Sequence, residues 1–189
     1  MGEPSVIERV AAAFEACPRA RHLPPAQAAF ADVDQALPIG YGQTNSQPRT
    51  VRAMLVALDP RPGHRVLDVG SGSGWTTVLL AHLVGPTGRV IGVERVPELV
   101  AMGRDAVAAA GMPWASVEAA DPDVLGAPVE APFDRILVSA MATGIPAPLR
   151  EQLGPGGVLV VPADGVLWRV TADGQRPLGR YVFVPLVQG

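Results

Sequence analysis

Two acidic residues flank a glycine-rich segment near the middle of the chain. Asp68 lies at the end of one apolar run, the pentapeptide 70–74 (Gly-Ser-Gly-Ser-Gly) follows, and Glu94 ends the next apolar run. Glycines let a backbone approach a ligand closely and adopt dihedral angles that other residues resist. A carboxylate about 20 residues after such a turn can accept hydrogen bonds from ribose hydroxyls. The spacing predicts a site for a nucleoside-containing cofactor, although a tight turn without a ligand would use the same glycines.

The sixth position of the glycine pattern indicates which cofactor is favoured. A dinucleotide fingerprint needs glycine at the sixth position of GxGxxG, and this chain has Trp75 there. The pattern GxGxG preceded by Asp68 favours S-adenosylmethionine instead. A nicotinamide-dependent oxidoreductase remains an alternative, and Trp75 counts against it.

The elements that must position these residues follow from the periodicity of apolar positions. Strands are predicted near 66–69, 90–93, 115–119, 133–139, 158–161, 166–171 and 180–186, and helices near 5–16, 49–58, 75–84, 97–110 and 146–153. This order predicts an α/β fold: a doubly wound, mostly parallel, seven-stranded Rossmann-like sheet with an antiparallel C-terminal strand pair and an N-terminal helical arm. Ligands bind outside the carboxyl ends of such strands. Asp121, after the third strand, can therefore reach an adenine, or it is a solvated loop carboxylate.

Residues 37–48 combine glycines with small polar side chains just before a helix. One interpretation is local: Ser46 or Gln47 caps that helix. The other is functional: the loop brings hydroxyls and backbone N–H groups beside the glycine turn. The sequence favours neither interpretation over the other.

Composition limits the classes of function. The chain has 189 residues, 15 basic and 18 acidic, with a formal charge of −3. A single domain, 1–189, is expected. The charge argues against a nucleic-acid partner, and no apolar stretch is as long as a membrane span. The N-terminus has no secretory pattern, and Cys17 is the only cysteine. We expect a cytoplasmic monomer without metal, disulfide or membrane partner.

Several stretches, taken together, resemble the protein-L-isoaspartate O-methyltransferase family. LPIGYGQTNSQP resembles its substrate-loop signature, VLDVGSGSGWTT its first cofactor motif and GRVIGVE its second strand. APFDRILVSAMA, LREQLGPGGVLVVP and RYVFVPLVQG resemble its fourth, fifth and C-terminal strands with their flanks. The resemblance covers nearly the whole chain, and the substrate-loop signature is its most specific part.

The resemblance implies a function and a site. The family transfers a methyl group from S-adenosylmethionine to the free carboxylate of isoaspartyl residues in damaged peptides or proteins, leaving S-adenosylhomocysteine. Residues 1–64 would form the arm and substrate loop, and 65–189 the cofactor-binding core. The cofactor residues it implies are Gln43, Thr44, Asp68, Gly70, Ser71, Gly72, Ser73, Gly74, Glu94 and Asp121. Thr44 and Ser46 would meet the substrate, with Ser46 as the active-site residue that orients the acceptor.

The chemistry agrees with these residue types. A carboxylate with a pKa near 4 is already anionic at pH 7, so it can attack a sulfonium methyl without a general base, and alignment is what remains. The chain departs from the family pattern at Asn45, usually apolar, at Pro122, usually glycine, and at 139–144. Two alternatives therefore stay open: a related carboxyl methyltransferase with a dedicated peptide or small-molecule substrate, and a cofactor-binding homologue without repair activity.

Overall fold

The computed structural model describes residues 2–186. The helices are α1 Val6–Ala16, α2 Pro25–Ala28, α3 Pro48–Leu58, α4 Trp75–Val84, α5 Pro97–Ala110 and α6 Ala147–Glu151. The strands are β1 Leu37–Gly40, β2 Gln43–Asn45, β3 Arg65–Val69, β4 Arg89–Glu94, β5 Ala115–Ala119, β6 Phe133–Val138, β7 Leu153–Ala163, β8 Val166–Thr171 and β9 Gly174–Arg180. Short 3-10 turns cover Arg19–His22 and Pro128–Glu130.

Seven strands form one sheet in the order β5-β4-β3-β6-β7-β8-β9. The pairs from β5 to β7 are parallel, whereas β8 and β9 are antiparallel to their neighbours. The predicted doubly wound, mostly parallel sheet with an antiparallel C-terminal pair is confirmed. The order of strands reverses between β3 and β6, because β4 and β5 lie on one side of β3 whereas β6 and the later strands lie on the other. Ligands in open sheets bind at such a switch point.

The two faces of the sheet bury alternate residues of each strand, as a period of two requires. On β3, Val66 packs into the cluster that contains α1, α3, α4 and α5, whereas Leu67 packs into the cluster that contains α6. Leu159 and Val160 divide between the same two clusters. The N-terminal arm joins the first cluster through Val10 and its neighbours, so it packs directly on the core.

The predicted strand at 180–186 is wrong within the described residues, because the last strand is Gly174–Arg180. β8 ends at Thr171 and a two-residue turn lets β9 pair with it at once, from Thr171 opposite Gly174 to Val166 opposite Arg180. The apolar residues 181–186 leave the sheet and cross its carboxyl edge. There Met141 N–H donates to Val184 O at 2.8 Å. Residues 187–189, also matched to the family's C-terminal strand, lie outside the described residues.

Two other boundaries differ from expectation. α6 ends at Glu151, and β7 begins at Leu153 instead of 158, with an irregular register against β6. The segment 37–45, expected as a loop, is an antiparallel hairpin of β1 and β2. Among residues 2–186, no helix is long and apolar enough to cross a membrane.

Candidate active site

The glycine turn joins β3 to α4 at the carboxyl edge of the sheet. Gly70 N–H donates to Val93 O at 2.9 Å, which fixes the turn to the end of β4. Gly70 and Gly72 have positive φ angles of 78° and 54° and line a cavity. A side chain on Gly74 would instead lie 3.0 Å from the Cα of Gly103. The third glycine thus allows α4 to approach α5 and does not face the cavity.

The cavity has a volume of about 440 Å³, within the usual range of 300–1,000 Å³ for small-molecule sites. It lies where β3, β4, β5 and β6 end, and the β1–β2 hairpin covers one side. The C-terminal segment 184–186 and the loop 139–143 contribute to its wall. Its polar lining includes Gln43, Thr44, Glu94, Arg95, Asp121, Asp123, Ser139 and Thr143.

Glu94 is the most firmly held carboxylate of this cavity. It is 8% exposed. Its Oε1 accepts the N–H groups of Arg95 at 2.7 Å and Val96 at 3.0 Å, and its Oε2 accepts Gly72 N–H at 2.8 Å. An ionised carboxyl group offers about four lone-pair positions, so one position on Oε2 is left for a ligand.

Asp68 lies beneath the cavity wall, although it stands near the end of its strand as Glu94 does. It pairs with Gly92 across β3 and β4, two residues before Glu94, and is fully buried. Thr77 Oγ1 donates to its Oδ2 at 2.7 Å. Burial raises the pKa of Asp68 to about 7, and the charge of Glu94 acts in the same direction. The hydroxyls of Thr77 and Ser139 lower it in part.

The space around Asp68 is closed by small residues. A Cβ on Gly92 would lie 2.8 Å from Thr77 Oγ1 and 3.0 Å from Ser71 Cβ, so only glycine fits there. Asp68 Oδ1 and Ser71 Oγ are buried without a hydrogen-bond partner in the described chain. Asp68 and Ser71 are adjacent to the cavity wall but are not part of it.

Asp121 is exposed and lines the cavity beyond β5. Its Oδ1 accepts Asp123 N–H at 2.8 Å, a local turn that fixes the side chain. Pro122 and Val124 line the same wall. Asp121 therefore lies where a ligand in the cavity can contact it, at the strand end predicted for it.

The predicted substrate loop divides into two parts. Gln43 and Thr44, on β2, line the cavity. Ser46 is half-buried beyond β2 and is not among the lining residues. The backbone carbonyl of Ser46 accepts an N–H from Arg19 at 3.0 Å. Gln47 is the N-cap residue of α3, but its side chain makes no cap hydrogen bond, and Asp34 Oδ1 instead accepts the Arg49 N–H in the first turn of that helix.

The eleven predicted site residues therefore fall into two groups. The cavity brings together Gln43, Thr44, Gly70, Gly72, Glu94 and Asp121. Ser46, Asp68, Ser71, Ser73 and Gly74 lie behind or beside its wall. Their roles toward a cofactor or substrate remain predictions.

Sequence reasoning missed several contributors. Arg19, in the N-terminal arm, is 5% exposed and bonds to residues 45–46. Asn45 is also buried, and its Nδ2 donates to Ser73 Oγ at 3.0 Å. Nothing in the sequence distinguished Arg19 from Arg21, two residues later. Nothing in the sequence indicated that 184–186 would line the cavity.

The histidines lie away from the lining. Burial lowers the pKa of His22 to about 4, and its Nδ1 lies 3.4 Å from Ser73 O. No His lines the cavity in the described part of the chain. Residues 2–186 also contain no group of three or more His, Cys, Asp and Glu side chains that could hold a metal ion.

Comparisons with known proteins agree on one family. The family described as protein-L-isoaspartate(D-aspartate) O-methyltransferase matches residues 5–188. A Methanopyrus kandleri protein-L-isoaspartate O-methyltransferase is 45% identical over 95% of this chain and 83% of its own length. A protein of the same name from Anaeromyxobacter dehalogenans is 49% identical over 82% of this chain and 72% of its own length.

A solved structure supports the fold. A Plasmodium falciparum chain described as a protein-L-isoaspartate O-methyltransferase, crystallised with S-adenosyl-L-homocysteine, matches with a TM-score of 0.82. The match covers 96% of this chain and 91% of that chain at 24% identity. At this identity the likeness concerns the fold alone.

Proposed function

Because the chain belongs to the protein-L-isoaspartate O-methyltransferase family, we propose that it methylates the free carboxylate of L-isoaspartyl residues in damaged proteins or peptides. The methyl donor is S-adenosylmethionine. One observation carries this proposal: a cavity at the carboxyl edge of the sheet lies between the rigidly held Glu94 and the hairpin residues Gln43 and Thr44. A donor and an acceptor can meet there.

The residues present fit this cofactor. Gly70 and Gly72 expose bare backbone to a cavity of about 440 Å³, large enough for a small-molecule ligand. Glu94 retains one acceptor position for a ribose hydroxyl. Asp121 would lie near the adenine and the glycine turn near the methionine portion, and Gln43 would contact the cofactor from the hairpin, with Thr44 where cofactor and acceptor meet. We propose that Asp68, Ser71, Ser73 and Gly74 support this surface from behind.

When bound, S-adenosylmethionine supplies an electrophilic methyl group on a sulfonium. The chain's own task is then to hold an already anionic carboxylate in line with that methyl, which requires no general base. Thr44 and Ser46 are neutral hydroxyl residues. They can orient a carboxylate by single hydrogen bonds without neutralising it as a bidentate arginine would. Ser46 acts as a positioning group, and no covalent enzyme intermediate forms.

The decisive assay compares two peptides that differ only in one linkage. Labelled S-adenosylmethionine is incubated with an isoaspartyl peptide and with its normal aspartyl twin. The proposal expects a base-labile methyl ester on the isoaspartyl peptide only. Equal labelling of both peptides, or cofactor binding without transfer to either, would contradict isoaspartyl repair.

Ser46→Ala tests the role of the hydroxyl. We expect turnover to fall at least about tenfold, because the acceptor is less well aligned, while affinity for S-adenosylhomocysteine changes little. The matched control is Ser116→Ala, on β5 and outside the site. An equal loss of turnover and cofactor affinity in Ser46→Ala would refute a role confined to the acceptor.

A dedicated substrate is the second candidate. It is favoured by the loop 139–144, where Ser139, Ala140 and Thr143 line the cavity in place of the usual family residues. Under this candidate, the loop selects one peptide or small carboxylic acid. Labelling of a specific cellular acceptor, with neither twin peptide methylated, would favour it over repair.

We further propose the setting in which the enzyme works. Residues 1–189 act as one domain, with 1–64 as arm and substrate loop and 65–189 as cofactor core. The buried cluster that runs from Val10 to Leu167 supports this. The enzyme is expected to be a cytoplasmic monomer, independent of metal, nucleic acid and membrane. Light scattering coupled to gel filtration tests whether the enzyme is a monomer. Activity in the presence of a chelator tests whether it is independent of metal.

A further inference from the structure

Arg19 is a buried cation that no carboxylate of the described chain pairs with. All three guanidinium nitrogens instead donate to uncharged oxygens. Nη1 and Nη2 bond the carbonyls of Ala31, Val33 and Gln35, at 3.3, 3.1 and 2.8 Å. A planar fork of five N–H groups suits this arrangement, and a lysine ammonium with three donors cannot reproduce it.

The same guanidinium holds the end of the substrate loop. Its Nε donates to Asn45 Oδ1 at 2.7 Å, and its Nη2 donates to the carbonyls of Asn45 and Ser46, both at 3.0 Å. The segment 31–35 and residues 45–46 are thus tied to one rigid group. The position of residues 45–46 in the substrate loop therefore depends on Arg19, which comes from the N-terminal arm.

Asn45 extends this connection to the glycine turn. Its Nδ2 donates to Ser73 Oγ at 3.0 Å. Arg19 itself lies over the ring of Trp75, the first residue of α4, at 5.4 Å from the ring centroid. An apolar side chain at position 45 could neither accept from Arg19 Nε nor donate to Ser73, and only the backbone carbonyl of residue 45 would still accept from Arg19 Nη2. The polar link is a feature of this chain.

We propose that Arg19 is a positioning residue for methyl transfer, which acts through Asn45 and the Ser46 backbone to hold the hydroxyl-bearing loop against the glycine turn. The inference rests on the proposed function. In-line transfer depends strongly on alignment, and a displacement of about 1 Å can cost about 100-fold in rate. Since Arg19 does not line the cavity, its loss should affect alignment of the acceptor more than cofactor affinity.

Two substitutions test the proposal: Arg19→Lys and Asn45→Ile. For Arg19→Lys we expect kcat on the isoaspartyl peptide to fall about 10- to 100-fold. The Kd for S-adenosylhomocysteine should change less than about threefold. Asn45→Ile should show a smaller change of the same kind. The matched control is Arg49→Lys, whose side chain is 81% exposed beside the same loop and should leave both quantities unchanged.

A double-mutant cycle separates positioning from a general loss of structure. If Arg19 acts through Ser46, then Arg19→Lys should reduce the residual rate of Ser46→Ala by less than about threefold. Each rate is divided by the fraction of molecules that bind S-adenosylhomocysteine, which removes misfolded protein. The same loss in both backgrounds would overturn the proposal.

The remaining outcomes are also decisive. If Arg19→Lys does not fold, Asn45→Ile decides alone, since it keeps the arginine and its carbonyl contacts. Wild-type rates in both variants would overturn this inference but leave the proposed function standing. Absence of transfer by the wild-type enzyme would overturn the proposed function and this inference with it.

Discussion

Glu94→Gln is a sharp test of the cofactor site, because its effect can be worked out from the contacts. The carboxylate accepts backbone N–H groups of Arg95 and Val96 on one oxygen and of Gly72 on the other. Glutamine can keep the first two through its carbonyl oxygen. Its amide nitrogen then faces the Gly72 N–H, so two donors oppose each other. The acceptor position left for a ribose hydroxyl also becomes a donor.

The expected magnitude follows from one lost hydrogen bond to a charged acceptor. Such bonds contribute about 1.5–3 kcal/mol, and each 1.4 kcal/mol is about tenfold in affinity. We therefore expect the Kd for S-adenosylhomocysteine to rise about 10- to 100-fold in calorimetric titration. At saturating cofactor, kcat should change much less, because Glu94 is expected to bind the ribose and not the reacting atoms.

The control for this substitution is Glu98→Gln. Glu98 is exposed in the first turn of α5 and loses the same charge. An increase in Kd below about threefold for Glu94→Gln, or one matched by Glu98→Gln, would refute the reasoning. Binding stoichiometry near one in each variant shows that the comparison concerns folded protein. A fall in stoichiometry at unchanged Kd would mean that Glu94 stabilises the turn without contacting the ligand.

Three further predictions concern the frame of the site. The pKa of Asp68 is raised to about 7 from 3.8, so between these values the folded state binds one proton more than the unfolded state. The free energy of unfolding should therefore fall by up to about 1.4 kcal/mol per pH unit as the pH rises from about 4 to 7. Urea unfolding should show that this slope disappears in Asp68→Asn and extends to higher pH in Thr77→Val. Gly74→Ala should lower Tm more than Gly111→Ala, because both have positive φ but only the former meets the α5 backbone. Burial raises the pKa of the Cys17 thiol to about 11, so it should resist a thiol reagent at pH 8 until the protein is unfolded.

The cofactor half of the site was largely predictable because it is local in sequence. A strand, a glycine turn, a helix and a second strand follow one another within residues 65–94, and each boundary coincides with a change in apolar pattern. The burial of the two carboxylates, Asp68 and Glu94, was not predictable from local sequence in this way. Asp68 is the last but one residue of β3 and Glu94 the last residue of β4, and the register that sets Asp68 opposite Gly92 buries Asp68 and leaves Glu94 at the rim.

The remainder depended on contacts that no local pattern contains. β9 is polar and exposed, as an edge strand can be, so the more apolar stretch 181–186 was mistaken for it. Pro177 lies in this edge strand, where a missing N–H is tolerated. The partners of Arg19 are mostly backbone carbonyls, which every sequence has, and only the folded arm shows which of them it meets.

Three consecutive residues of the glycine turn are each fixed by a different element. Gly72 donates to Glu94 at the end of β4, Ser73 accepts from Asn45 of the hairpin, and Gly74 lies against α5. A turn held from three directions loses little conformational freedom when a ligand binds, and such preorganisation lowers the cost of binding. The same geometry joins the hairpin to the end of β4, since Asn45 and Glu94 hold adjacent residues of one turn. The position of the hairpin is therefore coupled to that of the glycine turn through Ser73.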